Sequence, residues 1–275
     1  MPRLFSRSRP LRAALCGILL VAVNVSVAAA PFPMAPESSP RGNLSGMRPA
    51  TLYHVPILMY HRVVPTSEAG KSLPNLVVTP PAFAAQLKAF AGAGWHSITL
   101  ATLANAMEMG RAVPPRTFVL TFDDGWADGY DYAFPIMHRL GFVGTFFVIG
   151  GRLGHQGFLS VAELRKLEAA GNEIGNHTES HVALSSLPES RARQEVESAS
   201  RRVAAAVGHR PTSLAYPMGR LSAPVAGWIS QVPGIEIAVT TNWGLTESWP
   251  SRFETPRVRV QPDTDPAQLL ASVGP

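Results

Sequence analysis

Short apolar runs alternate with longer amphipathic stretches along most of the chain. The apolar runs are typical of buried strands and the amphipathic stretches of helices. Strands alternating with helices predict a parallel sheet with right-handed crossovers, and about seven such units favour an α/β fold of the distorted (β/α)7 barrel type. The predicted strands lie at residues 55–60, 96–100, 117–120, 145–149, 173–176, 213–216, 236–240 and 257–260.

Capping residues mark the ends of several predicted helices. Ser160 and Glu163 form a capping-box pattern, and Gly171 follows at the opposite end of the same helix. A second capping-box pattern, Ser186 with Glu189, opens a long helix that reaches about residue 207. The other predicted helices lie at residues 81–92, 101–109, 131–140 and 223–230.

Two adjacent carboxylates follow the third predicted strand directly. Gly125 comes after Asp123 and Asp124, tolerates positive φ and allows a loop to turn away at once. Because successive side chains of a strand point to opposite faces, we expect the two acids to have different roles. Asp-Asp-Gly is also ordinary turn chemistry, so this stretch alone leaves both interpretations open.

Two histidines follow another predicted strand. His177 and His181 are four residues apart, a spacing that lets both imidazoles reach one ion if the backbone turns tightly. With one carboxylate they give two nitrogens and one oxygen, the open ligand set of a hydrolytic metal site. In barrels, chemistry gathers at the C-terminal ends of the strands. His61 and Trp243 also follow predicted strands, and Tyr216 ends one, which predicts one shared site.

The positive charge of the chain is concentrated at the N-terminus. The formal net charge is +5. An apolar run follows at residues 13–30, which predicts a signal peptide at residues 1–30, with an uncleaved anchor as the alternative. The rest of the chain is close to neutral, so the charge favours no nucleic-acid partner. The N-terminal basic residues are Arg3, Arg7, Arg9 and Arg12.

The sequence predicts a linker and one folded domain outside the cytoplasm. Residues 31–52 are rich in Pro, Ser and Gly, which predicts a flexible linker before a domain at residues 53–275. Cys16 is the only cysteine and precedes that domain. Disulfides, Cys-ligated zinc and thiol catalysis are therefore excluded for the domain. We expect a monomer, attached to a membrane only if the N-terminal segment is retained.

Residues 121–125 (TFDDG) and 177–181 (HTESH) resemble the first two motifs of the polysaccharide deacetylases, the family-four carbohydrate esterases. The resemblance extends from about residue 55 to about residue 270. It implies a distorted (β/α)7 barrel and hydrolysis of N-acetyl groups on a polysaccharide. A catalytically silent glycan-binding module on the same barrel is the alternative, although a binder has no need for a base beside a metal.

The resemblance also implies roles for the acids and histidines. Asp124, His177 and His181 would bind one divalent metal ion, with zinc expected and nickel or cobalt able to substitute. Asp123 would be the general base for the water that attacks the acetamide carbonyl. The implied partner is an N-acetylated polysaccharide.

The third motif departs from the commonest family pattern. Ala215 stands where many members carry an arginine that supports the base, so another group must orient Asp123. In the family, a backbone amide of this loop helps to hold the oxyanion, and that position falls on Met218. A main-chain donor survives a change of side chain, so this departure does not argue against activity.

The third motif and residues 56–62 (PILMYHR) are similar to a narrower group of the family. That group deacetylates exported poly-β-1,6-N-acetylglucosamine, a biofilm polymer. The similarity implies that His61 is the general acid that protonates the leaving amine; a buried structural histidine is the alternative. Peptidoglycan, chitin oligomers and acetylated plant polysaccharides are the alternative substrates.

Aromatic residues near these motifs are candidates for sugar binding. Trp126, Tyr130 and Trp243 could stack on the apolar faces of pyranose rings, or could be core and rim aromatics instead. Tyr216, in the third motif, is a further candidate substrate-binding residue.

Overall fold

A computed structural model of the chain describes residues 51–70 and 74–274, all within one compact unit. The predicted signal peptide or anchor lies outside the described residues, as does the predicted linker up to residue 50. Among the helices of the described ranges, none has the length and apolar character needed to cross a bilayer.

The described chain alternates strands with helices, as the pattern predicts. The strands are β1 (Ile57–Tyr60), β2 (Arg62–Val63), β3 (Val77–Val78), β4 (His96–Ile98), β5 (Thr117–Phe122), β6 (Thr145–Val148), β7 (Glu173–Asn176), β8 (Ser213–Ala215), β9 (Ile237–Val239) and β10 (Val258–Arg259). The helices are α1 (Pro80–Gly92), α2 (Leu100–Met109), α3 (Phe134–Arg139), α4 (Val161–Ala169), α5 (Glu189–Val207), α6 (Ala223–Ile229) and α7 (Pro266–Ser272).

The main sheet is parallel and curls towards closure. Its order is β10-β1-β5-β6-β7-β8-β9, and β4 also pairs with β5. The amide of Ala238 in β9 donates to the carbonyl of Arg252, and the amide of Thr255 donates to the carbonyl of Ala238. Because residues 252–255 lead into β10, these bonds bring the last strand in the order back towards the first. The predicted α/β fold with a barrel-like parallel sheet is confirmed.

The pleat of the strands separates the inside of the barrel from its outer layer. Alternate residues of a strand point to opposite faces, and buried apolar side chains fill both faces here. Val119 of β5 and Phe147 of β6 belong to the inner cluster, whereas Leu120 and Phe146 pack in the outer cluster with the helices. Burial of each such side chain stabilises the fold by about 1.5–3 kcal/mol.

The two capping-box predictions have different outcomes. At α4, the Oγ of Ser160 accepts from the amide of Glu163 at 3.3 Å, and the carboxylate of Glu163 accepts from the amide of Ser160 at 2.7 Å. At α5 the helix is confirmed but the predicted box is wrong. Pro188 occupies the N-cap position, and the hydroxyl of Ser186 donates instead to the carbonyl of Ala183.

The predicted helix at residues 131–140 is interrupted in its first turn. A π-helical turn spans Gly129–Ala133 and continues into α3. Pro135 lacks an amide hydrogen and cannot make the usual bond to the fourth residue before it, which favours the wider turn. Helix α7 and the two-residue strands β2 and β3 were not predicted, since such short segments show little periodicity.

Candidate active site and metal centre

The backbone turns sharply between Asp123 and Asp124, just after β5. Asp124 has φ of 75° and Gly125 has φ of 72°, so the strand breaks between the two acids. Aspartate adopts this left-handed region more readily than most residues with a Cβ. At Gly125 a Cβ would lie 3.1 Å from the Cα of Val148 in β6, so that position also needs glycine for space.

Asp124 faces both predicted histidines. Its Oδ1 lies 3.4 Å from Nε2 of His177 and 3.2 Å from Nε2 of His181. One potential ligand atom from each of these residues lies within 4.8 Å of the others. Two imidazole nitrogens and a carboxylate oxygen suit a divalent transition metal and leave positions for water and substrate. The structure brings the three predicted metal ligands together.

The ring of His177 is held in the tautomer that a metal needs. Its side chain is 2% exposed, and Nδ1 lies 2.8 Å from the carbonyl oxygen of Ala215. Because only a protonated Nδ1 can donate to that carbonyl, the Nε2 lone pair faces Asp124 and is free for a metal. Burial alone would raise the pKa of Asp124, but the hydrogen bond and charge that His177 provides when its Nε2 is also protonated outweigh it and lower that pKa; a bound metal would take the place of that proton.

A tight turn brings His181 back towards His177. Thr178 and His181 have φ of 64° and 62°, in the left-handed region. The side chain of Asn176 accepts from the amide of Thr178 at 2.7 Å, and the hydroxyl of Thr178 accepts from the amide of His181 at 3.0 Å. Such conformations cost of order 1–3 kcal/mol each and cluster at functional sites. Here the strained turn places both imidazole rings on one side of the loop.

Trp126 orients the other oxygen of Asp124. Its indole Nε1–H donates to Oδ2 of Asp124 at 3.1 Å. The ring of Phe158 stacks on Trp126 with centroids 4.5 Å apart, and the guanidinium of Arg62 lies 4.5 Å from the Trp126 centroid. These neighbours cover part of the indole, and stacking of a sugar on Trp126 stays a prediction. Trp126 also supports Asp124, a predicted metal ligand.

A buried arginine orients Asp123, and the sequence interpretation missed it. Arg257, at 0% exposure, donates from Nη1 and Nη2 to the two carboxylate oxygens of Asp123 at 2.8 and 2.7 Å. Its remaining donors reach Thr121 and the carbonyl of Thr240. Arg257 therefore provides the support that Ala215 does not. The available signal was a charged residue at the start of a buried strand, which requires a partner.

The same arginine keeps Asp123 ionised. Burial alone would raise the pKa of Asp123, but the charge and hydrogen bonds of Arg257 outweigh it and lower the pKa to about 2. Each carboxylate oxygen can accept a second hydrogen bond, so Asp123 still has acceptor capacity for a water molecule.

His61 lies beside Asp123 at the end of β1. Its Nε2 is 3.9 Å from Oδ2 of Asp123, and its side chain is 14% exposed. Burial lowers the pKa of His61, and the negative charges of Asp123 and Asp124 partly oppose that effect. The structure thus places a partly accessible titratable nitrogen next to the carboxylate.

The loop after β8 carries two of the predicted site residues. Met218 has φ of 57°, and a Cβ at Gly219 would meet the side chain of Thr241, so the loop packs closely against the end of β9. Tyr216 is 1% exposed, and its hydroxyl donates to the carbonyl of Phe253. The predicted substrate contact of the Tyr216 side chain is therefore wrong, because it is a core residue. Trp243 is 69% exposed, and its contact with sugar stays a prediction.

Comparison with known proteins finds a family match over part of the chain and a curated relative. Residues 110–233 match the family model described as polysaccharide deacetylase. YxkH of Bacillus subtilis (strain 168), provisionally described as a polysaccharide deacetylase, is 27% identical over 215 residues, covering 78% of this chain and 73% of that protein.

Two solved structures share the architecture of this chain. The Streptococcus pyogenes deacetylase PplD in complex with acetate superposes with a TM-score of 0.76 at 25% identity, covering 82% of this chain and all of PplD (100%). IcaB from Ammonifex degensii gives a TM-score of 0.70 at 24% identity, covering 81% of this chain and 97% of IcaB. The likeness to IcaB concerns the fold alone.

Proposed function

We propose that the chain is a metal-dependent hydrolase of N-acetyl groups, because residues 110–233 match the polysaccharide deacetylase family model and the chain is similar to YxkH and to PplD. The proposed substrate is a polysaccharide that contains N-acetylglucosamine, with exported poly-β-1,6-N-acetylglucosamine as the first candidate. One observation carries the proposal: the Asp124, His177 and His181 ligand set adjoins an ionised Asp123 that Arg257 holds in place.

The donor chemistry of the site fits a divalent ion. Asp124 is ionised, and the bond from His177 to the Ala215 carbonyl leaves the His177 Nε2 lone pair available. Zinc is the proposed ion, with nickel or cobalt as substitutes, because the set combines nitrogen and oxygen donors. When bound there, the ion would act as a Lewis acid on the acetamide carbonyl and raise the acidity of a nearby water.

Asp123 is the proposed general base. Arg257 fixes the carboxylate in one orientation, and the low pKa keeps it ionised across the working pH range. A carboxylate of such low basicity accepts a proton readily only from an acidified water, which is the kind of water this site would provide. In this account Asp123 removes that proton as the water attacks the carbonyl carbon.

His61 is the proposed general acid. The C–N bond breaks when the tetrahedral intermediate collapses, and the departing nitrogen needs a proton to leave as an amine. His61 directly follows the neighbouring strand β1, 3.9 Å from the base, and is partly open to the cleft. His61 would donate a proton from its imidazolium form, and the backbone N–H of Met218 would donate a hydrogen bond to the oxyanion.

The position of the acid supports the first candidate substrate. His61 follows the first strand of the sheet, as in the narrower group that the residue 56–62 motif resembles. Trp243, with its exposed indole, is the proposed stacking surface for a sugar. Peptidoglycan and chitooligosaccharides are the alternative substrates, and all of these are N-acetylated polysaccharides. We propose that the enzyme acts as a monomer outside the cytoplasm.

Acetate release from a panel of glycans tests the proposal. The chain is incubated with poly-β-1,6-N-acetylglucosamine, peptidoglycan and chitooligosaccharides, with and without a chelator. We expect release from the first polymer, loss on chelation and recovery when zinc is returned. Release from peptidoglycan or chitooligosaccharide alone would replace the first candidate by that glycan. Binding without acetate release from any of them would favour a silent glycan-binding module.

A further inference from the structure

One charged side chain at the mouth of the barrel has no place in the mechanism above. Arg259 ends β10, and its register partner on β1 is Met59, two residues before His61. Arg257, two residues before Arg259, points inward to Asp123. Because alternate residues of a strand share a face, Arg259 also faces inward, nearer to the open end of the barrel.

The charge of Arg259 interacts with both His61 and Asp123, the proposed acid and base. Burial and then the charges of Arg257 and Arg259 lower the pKa of His61, and Asp123 acts on the pKa of Arg259 in turn. The Arg259 side chain is only half-buried, so part of it faces the cleft. Within residues 51–70 and 74–274 it makes no hydrogen bond or ion pair, whereas Arg257 uses its donors on protein acceptors.

The strand order places Arg259 on the side of His61 that is away from the proposed metal ligands, where the sugar chain would lie. The proposed metal ligands follow β5 and β7, whereas β10 lies beyond β1 on the opposite side of His61. The acetyl carbonyl would lie at the metal, with the nitrogen that becomes the amine towards His61. Arg259 therefore faces the sugar chain that stays attached to that nitrogen.

We propose that Arg259 is a specificity-determining residue that makes the cleft disfavour sugars already carrying a free amine. Removal of an acetyl group leaves an amine, which is protonated at mildly acidic to neutral pH and positively charged. Two positive charges about 8 Å apart near a protein surface repel enough to give discrimination on the order of tenfold. This inference rests on the proposed function, because only an N-deacetylase meets its own cationic product in the cleft.

The consequence is a pattern in the product polymer. After one acetyl group is removed, binding of an adjacent sugar would bring the new ammonium group towards Arg259. That neighbour would react more slowly than a sugar flanked by acetylated residues. The enzyme would therefore leave isolated glucosamines along the chain instead of contiguous runs.

Matched oligomers test this directly. The substrates are a fully acetylated β-1,6-linked N-acetylglucosamine pentamer and the same pentamer with one internal free amine, compared by kcat/KM at low salt. For the wild type we expect roughly tenfold lower kcat/KM on the amine-bearing pentamer, with the gap shrinking as salt is added. Arg259→Gln should close the gap and Arg259→Lys should retain it. The matched control is Arg201→Gln, which removes a charge from a side chain 63% exposed on α5 and should also retain the gap.

The outcomes separate this inference from the proposed function. Equal kcat/KM for the two pentamers would overturn the inference alone, as would a gap that persists in a folded Arg259→Gln. Absence of acetate release from every glycan of the panel would overturn both. If Arg259→Gln fails to fold, the wild-type product provides the test. Sequencing by mass spectrometry should show isolated glucosamines, and contiguous runs would contradict the proposal.

Discussion

At the scale of single residues, Arg257 determines the state of the proposed base. Both carboxylate oxygens of Asp123 accept from its guanidinium, and neither side chain is more than 3% exposed. Removing one partner of a buried ion pair leaves the other charge without compensation, at a cost of about 3–5 kcal/mol. Arg257→Gln should therefore lower the free energy of unfolding by about that amount, measured by urea denaturation at neutral pH.

The pH dependence of that variant gives a second measure of the ion pair. In the wild type the pKa of Asp123 is lowered to about 2 from 3.8, so its contribution to stability is present above pH 3.8 and is lost as the pH falls towards 2. Without Arg257, burial should raise the pKa, and the Asp123 contribution should then fall as the pH rises above 3.8. Unchanged pH dependence in Arg257→Gln would contradict the role of the pair.

His61 supplies the second residue-scale prediction. Its replacement by Ala should reduce N-deacetylation of the polymer by about a hundredfold or more, within the usual range for removing a general acid. Hydrolysis of an activated aryl acetate should fall much less, because that leaving group needs no proton. The burial-lowered pKa of His61 also predicts that wild-type N-deacetylation declines as the pH rises through a value below 6.5. Equal losses on both substrates, at unchanged metal content, would mean that His61 is structural.

The residues that could be predicted from the sequence are those in short motifs. Asp123, Asp124, His177 and His181 stand beside strand ends that apolar patterning reveals, so their convergence followed from the topology of the barrel. Arg257 could not be found in this way, because its partner is 134 residues away in sequence. For the same reason the roles of Tyr216 and Trp126 could not be predicted, because their hydrogen bonds and packing depend on distant elements.

At the scale of elements, the loop after β5 holds Asp124, a proposed metal ligand, through Trp126. Hydrogen bonds from beyond the ligand set typically change metal affinity by 10–100-fold. Trp126→Phe keeps an aromatic ring beside Arg62 and Phe158 but removes the donor to Asp124. Zinc affinity, measured by chelator competition, should fall by about tenfold or more, with the fold retained.

A tryptophan outside the site provides the control for that change. Trp95 packs in the outer core against Phe90 and Phe118, so Trp95→Phe should leave zinc affinity unchanged. Zinc affinity equal to the wild type in Trp126→Phe would contradict the supporting role of the indole.

The sequence predicted elements correctly where every residue is buried. It failed at helix termini, because their capping depends on single residues. Strand β5 is buried at all six positions, and the run of apolar residues alone predicted it. The capping box at Ser186 was predicted wrongly because Pro188 directs the helix start without a side-chain cap. Helix α7, with seven residues, is too short for a periodic signal and packs against α1 in the folded chain.

At the scale of the whole molecule, the buried Glu247 ties the start of the domain to its C-terminal part. Its backbone pairs with Tyr53, and its Oε2 accepts from the amide of Val55 at 3.2 Å, while Oε1 has no partner within the described residues. Burial raises the pKa of Glu247 from 4.5 to about 8, against smaller opposing effects of backbone hydrogen bonds. A raised carboxyl pKa means that the folded state prefers the protonated form.

This preference predicts alkaline destabilisation. The stabilising contribution is complete below pH 4.5 and is lost as the pH rises to about 8. Glu247→Gln keeps an acceptor for Val55 without a charge, so it should raise Tm at pH 8 and flatten the decline of stability between these pH values. Glu189→Gln, an exposed change at the start of α5, is the matched control. A Tm at pH 8 no higher than that of the wild type would contradict the buried, protonated state.

The central claim is that one metal site and one fixed carboxylate act together in N-deacetylation. One experiment can distinguish the contribution of the metal site from that of the carboxylate. Metal content per chain and acetate release from poly-β-1,6-N-acetylglucosamine are determined on the same dialysed samples of wild type, Asp123→Asn and His177→Ala. We predict one zinc ion per chain and turnover for the wild type. Asp123→Asn should keep the zinc and lose about a hundredfold or more in kcat, while His177→Ala should lose the zinc itself. Turnover equal to the wild type in metal-loaded Asp123→Asn, or undiminished zinc in His177→Ala, would contradict the account.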